Sequence, residues 1–322
     1  MKLGIMSASI ASLGWDRALD YCRELGLGAI ELPCGAYAHA PLLNAEAALA
    51  DRSLQEKIKA DVARRGLVLS ALSCHGNPVH PDPDVARAHE RAQDIAVRLA
   101  PKLGVDVVCT FSGCPGGAPG DRTPNWVTCA WPPDYPRIRE YQWHDVLIPY
   151  WQRKMKEARD EGVRIALEAH PGFAVYNPET LLELRRHAGP ELGANLDPSH
   201  FFWQGIDPVE AARALGDAGA IFHTHAKDTG IDPHNTRVNG TLDAKSYGDL
   251  SRRSWVFRTC GYGHGDEFWK PFVSMLRCKG YDGVLSIEHE DSYMSVPEGL
   301  KKAVDYLQGI LIREPPAKAW WF

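Results

Sequence analysis

No CxxC pair stands in this 322-residue chain, although it carries eight cysteines. Those cysteines (22, 34, 74, 109, 114, 129, 260 and 278) form no dense framework. The spacing argues for reduced packing thiols and against a thiolate zinc site. No apolar run approaches the length of a membrane span. There is no basic excess: the net charge is −5 and the pI near 6.2. A nucleic-acid surface would call for the opposite balance. The first residues (MKLGIM) run straight into a strand pattern, without the basic and apolar regions of a secretory leader. A cytoplasmic protein with neither membrane nor nucleic-acid partner is expected. No GxGxxG follows the first strand and no P-loop is found, so dinucleotide or nucleotide binding has little support. No HExxH stands in the chain either.

What is present is a repeated unit. Short apolar runs at 2–9, 28–33, 67–74, 105–110, 163–169, 192–197, 220–226 and 283–289 read as strands. Helical spacing follows each one, at 15–25, 54–65, 84–103, 143–161, 178–187, 209–215, 267–279 and 296–311. Asn177-Pro178 and Asp207-Pro208 have the form of N-caps followed by a first-turn proline. Eight β-then-α units imply parallel pairing, and the count favours a closed (β/α)8 TIM barrel over an open doubly wound sheet. The expected organisation is one barrel over 1–312 and an aromatic tail over 313–322. Long segments without periodicity follow strands four (112–141) and seven (229–266). They are expected to cover the barrel mouth.

Four strands end on side chains of metal-ligand type. The stretch 163–171 (VRIALEAHP) brings Glu168, 192–200 (LGANLDPSH) Asp197, 220–228 (AIFHTHAKD) His225, and 283–291 (GVLSIEHED) Glu288. In a parallel barrel all strand C-termini meet at one mouth. A single Asp-Pro is an ordinary turn and a single Glu a solvated rim. Four such residues on four consecutive strands are harder to place on a rim, because close carboxylates repel unless a cation stands between them. Three carboxylates and an imidazole make a hard site suited to one divalent metal, Mn²⁺ preferred, with Mg²⁺ or Co²⁺ as alternatives.

Around these four, His200 stands three residues past Asp197, and His75, Glu31 and Lys227 lie at strand ends. His223 shares the facing of His225 and reads as a deeper residue, while His289 turns toward the helices. His170 is either a ligand contact or a turn residue.

The ordered set Glu168, Asp197-Pro-Ser-His200, His225-Ala-Lys227-Asp228 and Glu288 resembles the xylose-isomerase-like barrel superfamily, in particular its sugar phosphate isomerase/epimerase group. The resemblance covers the chain from strand one to helix eight. It implies a divalent metal held by Glu168, Asp197, His225 and Glu288. It also implies that Glu168 and Glu288 are catalytic in proton transfer, and that His200 touches substrate. Two departures matter. The endonuclease IV type needs a histidine after strand four and an Asp-x-His after strand seven. Here strand four ends in Cys109-Thr-Phe-Ser112, and Asp232-Pro-His234 follows His225 too soon, so a DNA repair enzyme is not expected. The ketose epimerases carry a Gly-Glu-x-x-Arg run where this chain has Lys227-Asp228.

The first long loop is rich in aromatics, Trp126 and Trp131 among them, and aromatic faces suit sugar rings or aglycones. Few basic groups stand near the mouth, Lys227 and Arg237 being the candidates. Gly261-Tyr-Gly-His264-Gly is the only glycine-rich candidate for a phosphate. An unphosphorylated sugar or keto-glycoside is therefore expected, with His75, His200, Lys227, Arg237, Trp126 and Trp131 as substrate contacts. The chain also resembles the larger subunit of C-glycoside deglycosidases. That implies, as a second reading, a lyase that cleaves a 3-keto C-glycoside by β-elimination; His144 is then either the catalytic base or a helix residue. A non-catalytic sugar-binding barrel is the rival from another class. Trp320, Trp321 and Phe322 either fold under the barrel or make a subunit contact, in a homo-oligomer or with a small partner subunit.

Overall fold

The computed structural model describes residues 1–37 and 42–321. Among these, eight parallel strands close into a barrel: β1 (Lys2–Met6), β2 (Ala29–Pro33), β3 (Val68–Ser73), β4 (Val107–Thr110), β5 (Arg164–Glu168), β6 (Leu192–Leu196), β7 (Ile221–Ala226) and β10 (Val284–Ile287). The neighbours run β1-β10-β7-β6-β5-β4-β3-β2, so each strand pairs with its successor and β1 closes on β10. Two further strands, β8 (Asp228–Ile231) and β9 (Trp255–Arg258), stand apart as an antiparallel pair.

Helices surround the barrel and turn their apolar stripes into the common core. The helix Asp266–Cys278 buries Phe268, Trp269, Phe272, Val273 and Leu276, residues that recur on one side of a 3.6-residue helix. Burial of each such side chain contributes about 1.5–3 kcal/mol. The caps form as expected: Asn177 Oδ1 accepts from Thr180 N–H at 2.8 Å and Asp207 Oδ1 from Val209 N–H at 2.8 Å. On β5, Ala166 lies two residues before Glu168 and shares its face. With Ala71, Val107 and Cys109 it forms a small apolar layer closed by Phe222. Such small side chains leave room above them for the polar residues of the mouth.

The sheet is irregular in two places, between Ile30 and Glu31 and between Ala194 and Asn195. Such shifts re-aim side chains, and both adjoin residues of the polar cluster described below.

The loops differ from expectation. Residues 229–266 are not irregular throughout, because β8 and β9 form a flap on which Thr229 pairs with Phe257 and Ile231 with Trp255. The helix expected from residue 143 begins at Asp134 and passes through a π-helical stretch, Tyr141–Leu147, before Ile148–Asp160. Pro149 lacks the N–H an α-helix would use there, and the wider turn absorbs the loss. The cysteines are free, six of the eight buried, and burial pushes the thiols of Cys22 and Cys74 up to about 12. Trp320 and Trp321 are exposed, and Phe322 lies outside the described residues. No described helix is long and apolar enough to cross a membrane.

Candidate metal centre at the barrel mouth

Glu168 ends β5, and Glu288 directly follows β10. Asp197 directly follows β6, and His225 lies one residue before the end of β7. Each can offer one ligand atom such that all four atoms lie within 4.8 Å of one another. His225 Nδ1 is 3.2 Å from Glu168 Oε2 and 3.4 Å from Glu288 Oε2. Neither approach is aligned as a hydrogen bond, and Asp197 Oδ2 is likewise buried without one. Buried polar atoms normally find partners. An imidazole nitrogen and an Asp197 oxygen without aligned hydrogen bonds, converging with two further carboxylates, fit a divalent cation, with Glu168, Asp197, His225 and Glu288 as its ligands.

The electrostatics agree. Burial works against charge on His225, yet the carboxylates of Glu31, Glu168 and Glu288 overcome it and raise its pKa well above the ordinary range. Burial likewise opposes ionisation of Glu168, but the imidazoles of His200, His225 and His75 close around it hold its pKa well below the usual range. A cation on Nδ1 would take the place of the proton that these carboxylates draw to the ring.

Lys227, 3 % exposed, brings a positive charge to the same place. Its ammonium is 2.6 Å from Glu288 Oε2, 3.1 Å from Glu290 Oε2 and 3.3 Å from Asp197 Oδ2. Burial lowers the pKa of this lysine and Glu288, Glu290 and Asp197 raise it, the net result lying well above the usual range.

His200 reaches the cluster through a turn. Ser199 N–H donates to Asp197 Oδ1 at 2.8 Å, and the short helix Ser199–Phe202 carries His200 Nε2 back to 2.9 Å from Glu168 Oε1. His75 Nε2 lies 3.1 Å from Glu168 Oε2, and Asn195 Nδ2 donates to that oxygen at 3.0 Å. The His170 ring lies 4.0 Å from that of His200, tilted by 53°, and burial, then the neighbouring His200, depress its pKa to about 3. His223 lies deeper, on Glu31, and His289 packs on Gly299 of the last helix, both as expected.

The other expected contacts make no hydrogen bond or ion pair with the four ligand residues. His144 is half-exposed on the outer helical layer, 3.6 Å from Glu140 and edge-on to His187. Arg237 is exposed on the short helix Pro233–Asn239. Trp131 is 77 % exposed, while Trp126 packs half-buried against Tyr176. Three phenylalanines, Phe111, Phe173 and Phe257, pack against the histidines of the cluster or one another. Phe111 lies 4.7 Å from the His75 ring and stacks on Phe173 at 4.3 Å. Phe257 of the flap lies 5.5 Å from the His200 ring, with the Lys227 ammonium 4.6 Å from its own. Asn195 was visible in the sequence as a polar residue inside an apolar strand, two positions before Asp197. Phe257 had no such signal.

The glycine-rich stretch is spoken for. The N–H groups of Gly261, Gly263 and His264 donate to Asp228 Oδ2 at 2.9–3.1 Å. Gly263 lies so close to Thr229 O that a Cβ would stand 2.4 Å from it.

A closed eight-stranded barrel with a cation-type ligand set at the C-terminal ends of its strands defines a class of protein. The chain belongs to the xylose isomerase-like TIM barrel family, whose model matches residues 19–310. It is 40 % identical over 311 residues to the uncharacterized protein YfiH of Bacillus subtilis (strain 168), covering 96 % of this chain and 98 % of that one. Its fold is similar to a D-tagatose 3-epimerase-like protein (TM-score 0.63, 18 % identity, 96 % and 98 % of the two chains). It is also similar to a xylose isomerase-like TIM barrel protein from Mycobacterium smegmatis in complex with magnesium (TM-score 0.62, 17 % identity, 96 % of each chain).

Proposed function

We propose that the protein is a divalent-metal-dependent enzyme that removes a proton α to a carbonyl of an unphosphorylated sugar or keto-glycoside, as an isomerase or epimerase does. The observation that carries the reading is the convergence of Glu168, Asp197, His225 and Glu288, with His225 Nδ1 and Asp197 Oδ2 buried there without an aligned hydrogen bond. When bound, the cation would polarise the carbonyl and stabilise the negative charge that develops beside it. Glu288 takes the proton: with 14 % side-chain exposure it is the carboxylate of the set most open to a substrate. Lys227 holds Glu288 in place. Glu168, steadied by His200 and Asn195, is the second proton-transfer group, and transfer between two carboxylates moves a hydrogen to another face or carbon. Phe111, Phe173 and Phe257 supply apolar walls around the ring.

The case for an unphosphorylated substrate rests on what the basic groups already do. Lys227 is engaged by three carboxylates, Arg237 is exposed on its short helix with no ion pair to the cluster, and the glycine-rich N–H groups are turned to Asp228. A leaving group β to the carbanion would convert the same abstraction into elimination, and the aromatic walls suit an aglycone as well as a sugar. The test is solvent deuterium exchange with Mn²⁺-loaded enzyme on free ketoses, their phosphates and 3-keto glycosides. Exchange at the α carbon of an unphosphorylated substrate is expected, with aglycone release marking elimination. Preference for the phosphates, or no exchange with any of these, would sink the reading.

A further inference from the structure

The polar cluster continues one layer below the mouth. Glu31 at the centre of β2 is fully buried beside His223 and His225 of β7. Its Oε2 stands 3.0 Å from His225 Nε2, 3.0 Å from His223 Nε2 and 3.0 Å from Ser286 Oγ. The proton-transfer scheme makes no use of this carboxylate.

The ring of His225 therefore spans two carboxylate layers. Nε2 faces Glu31, and Nδ1 faces Glu168 and Glu288. A neutral imidazole has one N–H donor and one bare nitrogen. Beside a buried carboxylate oxygen at 3.0 Å the nitrogen must be the donor, because two lone pairs there would repel. With a cation on the mouth side in place of the proton that Glu168 and Glu288 would otherwise draw there, the bare nitrogen is Nδ1, which has no aligned hydrogen bond. We propose that Glu31 is a positioning residue that holds His225 in the Nε2–H tautomer, so that Nδ1 presents its lone pair to the cation. The shift in strand register between Ile30 and Glu31 lies where it can aim the carboxylate at β7. The inference rests on the metal centre proposed above and gives this chain a specific orienting residue for it.

A second cation on Glu31 is the competing account. Glu31, His223 and His225 also bring ligand atoms within 4.8 Å, and Glu31 Oε1 has no donor. Such an ion would share His225 with the mouth, and the ring would have to give up both its protons. Two N–H donors and the Ser286 hydroxyl on one oxygen are the arrangement of a hydrogen-bonded carboxylate.

Calorimetric titration of the full chain with Mn²⁺, comparing wild type with Glu31→Gln, tests the proposal. Glutamine keeps the shape but is a weaker acceptor, and affinity should fall about 10- to 100-fold with one site per chain in the wild type. A second measurement needs no variant at this site. In ¹⁵N-histidine spectra of Mg²⁺-loaded wild type, the His225 resonance, assigned by its loss in His225→Gln, should carry its proton on Nε2. A merely structural role would lower the melting temperature of Glu31→Gln without setting that tautomer. Equal Mn²⁺ affinity in the two proteins, a proton on Nδ1, or two Mn²⁺ per wild-type chain with one lost in Glu31→Gln would each overturn the proposal alone. A wild type that binds no Mn²⁺ would overturn the metal-centre reading and this inference with it.

Discussion

Lys227 and Asp228 are chain neighbours that open onto two buried carboxylate sites of opposite character. Asp228 is closed. Its two oxygens accept from the N–H groups of Thr229, Gly261, Gly263 and His264, from His264 Nδ1 and from Trp269 Nε1, all at 2.8–3.2 Å. The mouth beside Lys227 is unfinished: His225 Nδ1 and Asp197 Oδ2 are buried there without hydrogen bonds. Burial alone does not separate an anchor from a reactive site, since both are buried. The number of donors left over does. A carboxylate surrounded by fixed N–H groups has nothing further to bind, and Asp228 ties the flap strand β8 to the loop at 261–265. A cluster with unmet ligand atoms keeps capacity for a partner from outside.

The contrast can be broken most directly at Glu288. Glu288→Gln should lower kcat/KM for deuterium exchange by about 10³-fold, with the thermal midpoint little changed. Retention of more than a tenth of the activity would mean that the open site is not where the proton moves. Asp228→Asn should show the reverse pattern. Replacing this carboxylate turns an amide NH₂ toward N–H donors and should cost about 3 kcal/mol in a urea melt, with Mn²⁺ affinity of the folded protein retained. A stable Asp228→Asn protein with lost metal binding would reverse the two roles.

A second saturated carboxylate sharpens the comparison by its pH dependence. Asp243 accepts from Ser254 N–H at 2.6 Å and from Lys245 Nζ at 2.8 Å. Burial opposes its charge, but these bonds outweigh burial and hold its pKa at about 2. A depressed carboxylate pKa stabilises the fold above the unfolded value and loses that contribution as pH falls toward the folded one. Asp243→Asn should therefore cost about 2 kcal/mol at pH 7, and the gap to wild type should narrow below pH 4, the ordinary aspartate value. Hydrogen exchange at the β9 amides would report it, and a gap constant from pH 7 to 2.5 would count against the assignment. Smaller effects are expected on the aromatics. Phe257→Ala should raise KM about tenfold, or roughly 1.4 kcal/mol. Trp131→Ala, at a position 77 % exposed, should leave kinetics within twofold of wild type. Equal losses in both would put the substrate farther out than the Phe257 wall.

Much of this was legible in the chain itself. The eight β-then-α units, the caps at Asn177 and Asp207 and the metal-type residues at four strand ends follow from patterns a few residues long, because strand alternation and helix periodicity are local properties. The same locality explains what stayed open or was missed. His144 could be read as a base or as a helix residue, because helical spacing does not say which neighbour covers each face, and the packing turns it to Glu140 and His187. The pair β8 and β9 needs partners more than twenty residues apart in a segment without helical or alternating pattern. A glycine-rich loop reads alike whether its N–H groups will meet a phosphate or a carboxylate, and only the fold put Asp228 beneath this one. The contact of Glu31 with His225 crosses 194 residues of sequence. No local pattern encodes it, because two distant strand positions become neighbours only when the barrel closes.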